Sequence, residues 1–297
     1  MKQISALVRR NSKLFFKDKG MFFTAMITPC ILLVLYATFL GNIYRDTFSQ
    51  NLPPFVSLSQ SVLDGLVGGQ LISSLLAVSC ITVAFCSNIL MVQDKANGSI
   101  KDLRISPVKS SALSVSYYLA SLFSTLLICL VAAAVCLAYV GVVGWYMSTA
   151  DVLYLLLDIV VLVLFGTALS SVIHFFLSTQ GHIAAVGSIV SAGYGFICGA
   201  YMPIANFGEG LQKVVSFLPG TYGTSLVRNH AMRGAFQQMV EEGVPQEVVD
   251  SIKASLDLYP KLLDKTVEIP QMYLILGGSV VVLMAIYLIL NMCKKKV

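Results

Sequence analysis

The chain has 297 residues, 57% of them hydrophobic and only 12% charged, with a formal net charge of +5. Soluble domains carry about 25% charged residues, so an ordinary water-soluble globule is excluded. Thirteen of the twenty Lys and Arg lie in residues 2–19, 95–109 and 294–296, on the flanks of long apolar runs; that pattern marks cytoplasmic segments of a membrane protein and argues against a nucleic-acid partner.

Residues 2–17 open the chain with a basic amphipathic pattern. Ile4, Leu7, Val8, Leu14 and Phe15 share one helical face and Lys2, Arg9, Lys13 and Lys17 the other, with Phe16 off the apolar arc. Such a helix lies along the membrane interface. No cleavage-like site precedes the first apolar run, so the segment is expected to be retained. A first crossing is predicted from about Phe22 to Leu40, followed by an outer loop with Arg45, Asp46 and Pro53-Pro54. A second runs from about Leu66 to Val92, and a third from about Leu113 to Val140, ending near Trp145 and Tyr146 at the headgroup level. The fourth spans about Val152 to Leu177, the fifth about His182 to Met202, and the sixth about Met272 to Met292, closed by Lys294, Lys295 and Lys296. Six crossings put both termini on the cytoplasmic side, consistent with a single basic residue, Arg45, in the outer stretches 42–60 and 141–151.

Between the crossings, the cytoplasmic loop 93–110 holds a short amphipathic helix from about Ile100 to Ile105. Asn97 or Ser99 can cap it and Pro107 stops it, with Ile100 and Leu103 on one face and Lys101, Asp102 and Arg104 around them. A helix this short has little stability alone, so docking onto a cytosolic partner explains it, as does an ordinary charged turn. Residues 207–218 and 222–235 read as two short helices split by Pro219-Gly220, each about 18 Å long. They form a re-entrant hairpin over 203–235, too short to cross a core of about 30 Å. The more polar stretch 236–269, with a helix opened by Pro245 and carrying Val248, Val249 and Ile252, reads as a small external cap. Within the fifth crossing Gly187, Ser191, Gly195 and Gly199 recur every fourth residue, a stripe suited to close helix contact inside the chain or at a dimer seam.

Chemical motifs are sparse. No G-x-x-x-x-G-K-[ST] phosphate loop, H-E-x-x-H or G-x-S-x-G occurs, and His174, His182 and His230 are scattered along the chain. The seven cysteines sit in or beside apolar runs and suggest neither disulfides nor a metal site. Asp158, within the fourth crossing, is the intramembrane ionisable group; it faces other helices, is protonated, or lies near the outer boundary.

Two segments together carry a family resemblance. Gly98-Ser99, Leu103 and Pro107, with Asp94 where a glutamate is common and Ala96 departing from a second frequent acid, resemble the cytoplasmic signature of ABC-2 type exporter permeases. The stretch 199–228, GAYMPIANFGEGLQKVVSFLPGTYGTSLVR, matches the family after the fifth crossing at Gly199, Pro203, Pro219, Tyr222 and Arg228. The resemblance implies a single all-α transmembrane domain that pairs with a second permease, the same or related. It implies a separate cytoplasmic ABC ATPase holding ATP and Mg, with no cofactor bound by this chain. Residues 2–17 would be the connecting helix, 93–110 the coupling helix with Gly98, Ser99, Ile100, Leu103, Arg104 and Pro107, and 203–235 the outer gate with Pro203, Pro219, Gly220, Tyr222 and Arg228. The extension 236–269 inherits no role. The expected activity is export of an amphipathic or lipid-like substrate across the plasma (inner) membrane by alternating access. A stand-alone ion-coupled secondary transporter is the alternative, and would need more intramembrane charge than Asp158.

Overall fold

The computed structural model describes residues 2–50, 58–105, 108–263 and 265–293, with Arg104 described by its backbone alone. Pro53-Pro54, Pro107 and Lys294 to Lys296 lie outside the described residues. The architecture is an all-α bundle whose strands, among the described residues, amount to one two-residue pair, Lys261–Leu262 against Lys265–Thr266.

The amphipathic opening forms α1 (Lys2–Lys17), whose Phe15 is buried against the bundle. Asp18 accepts a hydrogen bond from the Met21 amide at 3.1 Å and so caps α2 (Lys19–Leu35). The helix then widens through a π-wound stretch, Tyr36–Leu40, and continues as α3 (Gly41–Gln50). The polar residues expected in a loop from Asn42 onward are thus helical, and Lys19–Gln50 is one rod of 32 residues.

Helix α4 (Gln60–Ser87) is the axis of the fold, buried almost without interruption from Val62 to Ser87. It bends at Asn88 into α5 (Ile89–Ala96), so the helical stretch reaches four residues beyond the predicted end at Val92. Around it stand α2, α7 (Ser110–Val143) and α8 (Thr149–Phe176), with α13 (Ile269–Cys293) packed outside against α8 and α7. Ser148 and Asp151 form a reciprocal capping box at the start of α8. Exposed apolar side chains such as Phe23, Ile31, Phe123, Leu274 and Val281 lie on the outer surfaces of α2, α7 and α13, as lipid contact requires.

Among the described residues, five helical stretches are long and apolar enough to cross a membrane: Lys19–Gln50, Gln60–Ala96, Ser110–Val143, Thr149–Phe176 and Ile269–Cys293. The remaining expected crossing, α9 (Gln180–Ile197), has 18 residues, about 27 Å, and ends five residues before Met202 because Gly199 turns the chain with φ +71°. A sixth crossing therefore depends on α9 alone.

The hairpin departs further from expectation. α10 (Glu209–Ser216) is short, but α11 (Pro219–Glu241) runs for 23 residues, about 35 Å, rather than 18. Pro219 occupies the first helical turn, where its missing N–H costs nothing, so Pro219-Gly220 starts α11 instead of splitting two equal helices. From Gly220 through Met232 every residue of α11 is buried among α4, α8 and α13. Beyond it, α12 (Gln246–Ser255) turns Val249 and Ile252 onto a second small core with Phe48, Leu66 and Phe236.

Close approach among these helices depends on glycine. A Cβ added at Gly166 would stand 2.9 Å from the Cys80 carbonyl oxygen and 2.8 Å from Ile81 Cδ1, whereas one at Gly277 would meet nothing. Gly166→Leu is expected to lower the thermal midpoint in detergent, as overpacking costs about 1–3 kcal/mol, while Gly277→Leu leaves it unchanged. Equal midpoints for the two would show that α4 and α8 are not tightly apposed.

Candidate functional site

One end of the bundle is organised around a carboxylate. Asp94, on the last turn of α5, is buried and accepts from Arg10 Nη1 at 2.8 Å, Arg10 Nη2 at 3.3 Å and the Tyr117 hydroxyl at 2.5 Å. Three elements, α1, α5 and α7, therefore meet on one charge. A two-pronged guanidinium–carboxylate pair fixes orientation as well as distance, and it raises the Arg10 guanidinium above its already high ordinary pKa. Next to it, Lys95 Nζ donates to the carbonyls of His174 and Phe175, each at 2.8 Å, and of Leu177 at 3.1 Å. These are orphan acceptors at the end of α8, where a cation is also favoured by the helix dipole. Asn88, at the bend, donates to Ser170 Oγ at 3.1 Å and Ser171 Oγ at 2.8 Å, and accepts from Ser121 Oγ at 3.2 Å. The α5 segment is thus tied to α1, α7 and α8.

Gly98, at φ +79°, ends this fixed portion and allows α6 (Ser99–Ile105) to turn away. Its helix begins at Ser99, one residue earlier than predicted. Ile100 and Leu103 are half-buried and pack on the chain's own core, while Ile105 is 84% exposed. The apolar residue that α6 offers outward is therefore Ile105, with the exposed Lys101 and Asp102 beside it.

The opposite end is built on α11. Tyr222 donates to the Ser216 carbonyl at 2.5 Å and Thr221 Oγ1 to that of Val215 at 3.1 Å, closing the α10–α11 turn. Gly220 lets the Tyr194 ring approach. Arg228 is fully buried; it donates to the Gly199 carbonyl at 2.8 Å and to that of Leu256, joining the end of α9 to the loop after α12. Asp257, in that loop, accepts from the Ile204 amide; burial raises its carboxyl above the ordinary range and nearby Arg228 pulls it back down. Pro203 leads into the short 3-10 turn Ile204–Asn206.

Asp158 faces other helices. His230 Nδ1 lies 2.6 Å from one of its oxygens and the Tyr273 hydroxyl donates to the other, with Tyr154 stacked on the His230 ring at 5.1 Å. This cluster joins α8, α11 and α13 and escaped sequence reading, since its members are 72 and 115 positions apart. Arg10 and Tyr117 were likewise missed as the partners of Asp94.

The four small residues of α9 do not act alike. A Cβ at Gly195 would run into the Tyr201 ring and Gly199 forms the turn, whereas Gly187 has open space around it and Ser191 is exposed. Gly195 is thus occupied within the chain, and Ser191 belongs with the exposed Ala184, Ser188 and Ala192.

Asp94→Asn removes the charge that Arg10 and Tyr117 share. Hydrogen bonds to charged groups contribute about 1.5–3 kcal/mol, so amide exchange in α1 is expected to accelerate roughly tenfold or more. Lys101→Gln, on the exposed side of α6, should leave it unaltered. Unchanged exchange in Asp94→Asn would mean that α1 is held by its apolar face alone.

The sequence matches the family described as ABC-2 type transporter over residues 2–231. No curated protein matches the chain. The matched region takes in α1, the α5–α6 segment and α11 as far as Ala231, and so contains the Asp94 end of the bundle whole and, of the other end, Gly199, Tyr222 and Arg228 but not Leu256 or Asp257. With well over half of its length matched and five apolar helices able to span a bilayer, the chain belongs to the ABC-2 type transporter family and is a multi-pass membrane permease of an ABC transporter.

Proposed function

We propose that this permease is one membrane half of an ATP-driven exporter in the plasma (inner) membrane, with both termini cytoplasmic and α9 serving as the sixth crossing. It pairs with a second permease, and each is driven by a separate cytoplasmic ATPase that carries ATP and Mg. The observation that carries this reading is the Asp94 junction. It binds α1 and α7 rigidly to α5 immediately before a glycine hinge and a short helix that presents one exposed isoleucine.

In this reading α6 is the coupling helix, with Ile105 as its contact and Ile100 and Leu103 as its footing on the permease. Force on α6 reaches α1, α7 and α8 through Asp94, Lys95 and Asn88, and the paired bundles alternate between inward and outward access. The hairpin 203–235, pinned by Arg228 and Tyr222, is the outer gate. The cargo is amphipathic or lipid-like, such as a drug, a peptide antibiotic or a glycolipid. Small residues on the exposed side of α9 suit a close helix partner, in line with a permease dimer.

The Asp158–His230–Tyr273 cluster is the observation that favours a second reading, an ion-coupled carrier that needs no ATPase. Ile105→Glu separates the two. Because Ile105 is exposed, folding should be unaffected, and ATPase co-purification and substrate export are each expected to fall at least tenfold. Full export by the variant, or by the purified permease without any ATPase, would overturn the exporter reading.

A further inference from the structure

At the end of the bundle remote from α6, α11 and α12 enclose a cavity of about 610 Å³ that the family match does not account for. Its position follows from the packing: α11 runs antiparallel to α4, and Ser59, before α4, binds Glu242, just after α11, with Oγ to Oε1 at 2.6 Å. Residues Asn229 and His230 belong to the matched region; the rest of the lining, from Arg233 to Ile269, lies beyond it. The volume falls in the range of small-molecule sites, about 300–1,000 Å³.

The lining has two sides. Phe236, Val240, Leu258 and Ile269 give an apolar surface. Polar side chains stand beside it. Arg233 Nε sits 3.0 Å from Asp151 Oδ1, which fixes the guanidinium from behind, and its two terminal nitrogens have no partner among the described residues. Lys253 Nζ lies over the Phe236 ring, 5.5 Å from its centroid, and 3.7 Å from the exposed Asp250 carboxylate. His230 is 4% exposed and held through Nδ1 by Asp158, which leaves Nε2 as the ring nitrogen with no partner among the described residues. Tyr259 adds a hydroxyl whose pKa burial raises first, then Glu268 and Asp250, so it stays protonated and able to donate. Glu241 is the one carboxylate in the lining.

From this geometry we infer that the cavity binds an anionic amphiphile, a carboxylate or phosphate head held by Arg233 and Lys253 with its apolar part on Val240 and Ile269. The planar fork of Arg233, with both terminal nitrogens open, suits a two-oxygen head. The inference does not depend on the export reading, because binding is measured with no ATPase present.

The test uses the full chain in neutral phosphatidylcholine nanodiscs and titration calorimetry with octyl phosphate, octyl glucoside and octyltrimethylammonium. Octyl phosphate is expected to bind saturably and at least tenfold more tightly than the other two, with affinity falling as salt is added. Lys253→Glu should weaken it tenfold or more. Lys253 is partly exposed, so this variant remains informative even if Arg233→Gln, which strips Asp151 of its partner, fails to fold. Lys261→Glu, at a side chain that lines a separate pocket with Glu209 and Lys213, should not change it. Discs doped with phosphatidic acid identify the source: competition with octyl phosphate assigns the site to a leaflet lipid, and its absence to a soluble amphiphile. Equal binding of the three octyl compounds, or undiminished binding by Lys253→Glu, would overturn the assignment.

Discussion

The fold depends on a helix with no exposed side. In a bilayer, backbone polar groups must be satisfied within the helix, and the attraction between helices comes mainly from close packing. α4 answers both demands by being small where neighbours cross it. Gly69 lies against the backbone of Ala231, the Cys80 carbonyl faces Gly166, and Ser74 donates to the Ala200 carbonyl at 2.6 Å. Two of its hydroxyls bond back to their own helix: Ser73 to the Gln70 carbonyl at 2.9 Å and Thr82 to that of Val78 at 3.0 Å. The positions of α2, α7, α8, α9 and α11 all follow from contact with this one helix.

The second demanding element is α11, which carries Arg228, Asn229 and His230 in succession and is nonetheless buried. A buried guanidinium is tolerated when its donors meet fixed acceptors. Arg228 finds two of these in carbonyls freed by irregular backbone, at Gly199 and at Leu256. Asn229 does the same at the Leu258 carbonyl, 2.5 Å away, and also donates to the Ser225 carbonyl one turn back in α11 at 2.9 Å. The polar residues of α11 are thereby a set of clamps holding the end of α9 and the α12 loop to the bundle. Removing the segment 256–258 would take an acceptor from Ser225, Arg228 and Asn229 at once, which is why the extension and the family-matched hairpin form one structure rather than a core with an appendage.

Much of this was legible because its signals are local. The period of α1, the apolar runs of α2, α4, α7, α8 and α13, and the proline opening α12 all act within a few residues. What escaped was set by distant partners. α11 has no apolar periodicity, since it is buried on all sides with polar residues paired across the fold, and so it reads as two short pieces around Pro219. Asp158 announces a need for partners but not their identity, and His230 and Tyr273 come from other helices. Ile100 and Leu103 share a face, yet nothing in a single helix says whether that face meets its own bundle or another protein.

The two charge-organised ends are joined by the same axis. Asp94 and Lys95 stand at one end of the 37-residue stretch Gln60–Ala96; at the other, Arg45 binds Asp64 and Glu242 binds Ser59. Close-packed interiors deform little, and a helix enclosed on all sides cannot bend without its neighbours. Any movement of α5 must therefore appear as tilt or sliding of α4 against α7, α8 and α11, with the bend at Asn88 the natural place for the two helical segments to change angle. The polar clamps at each end then decide how such a tilt is shared: α1 and α7 follow through Asp94, while α11 and the cap follow through Glu242. The small residues along α4 serve this twice, permitting the close packing that excludes voids and presenting smooth surfaces along which neighbours can shift by less than a helical turn.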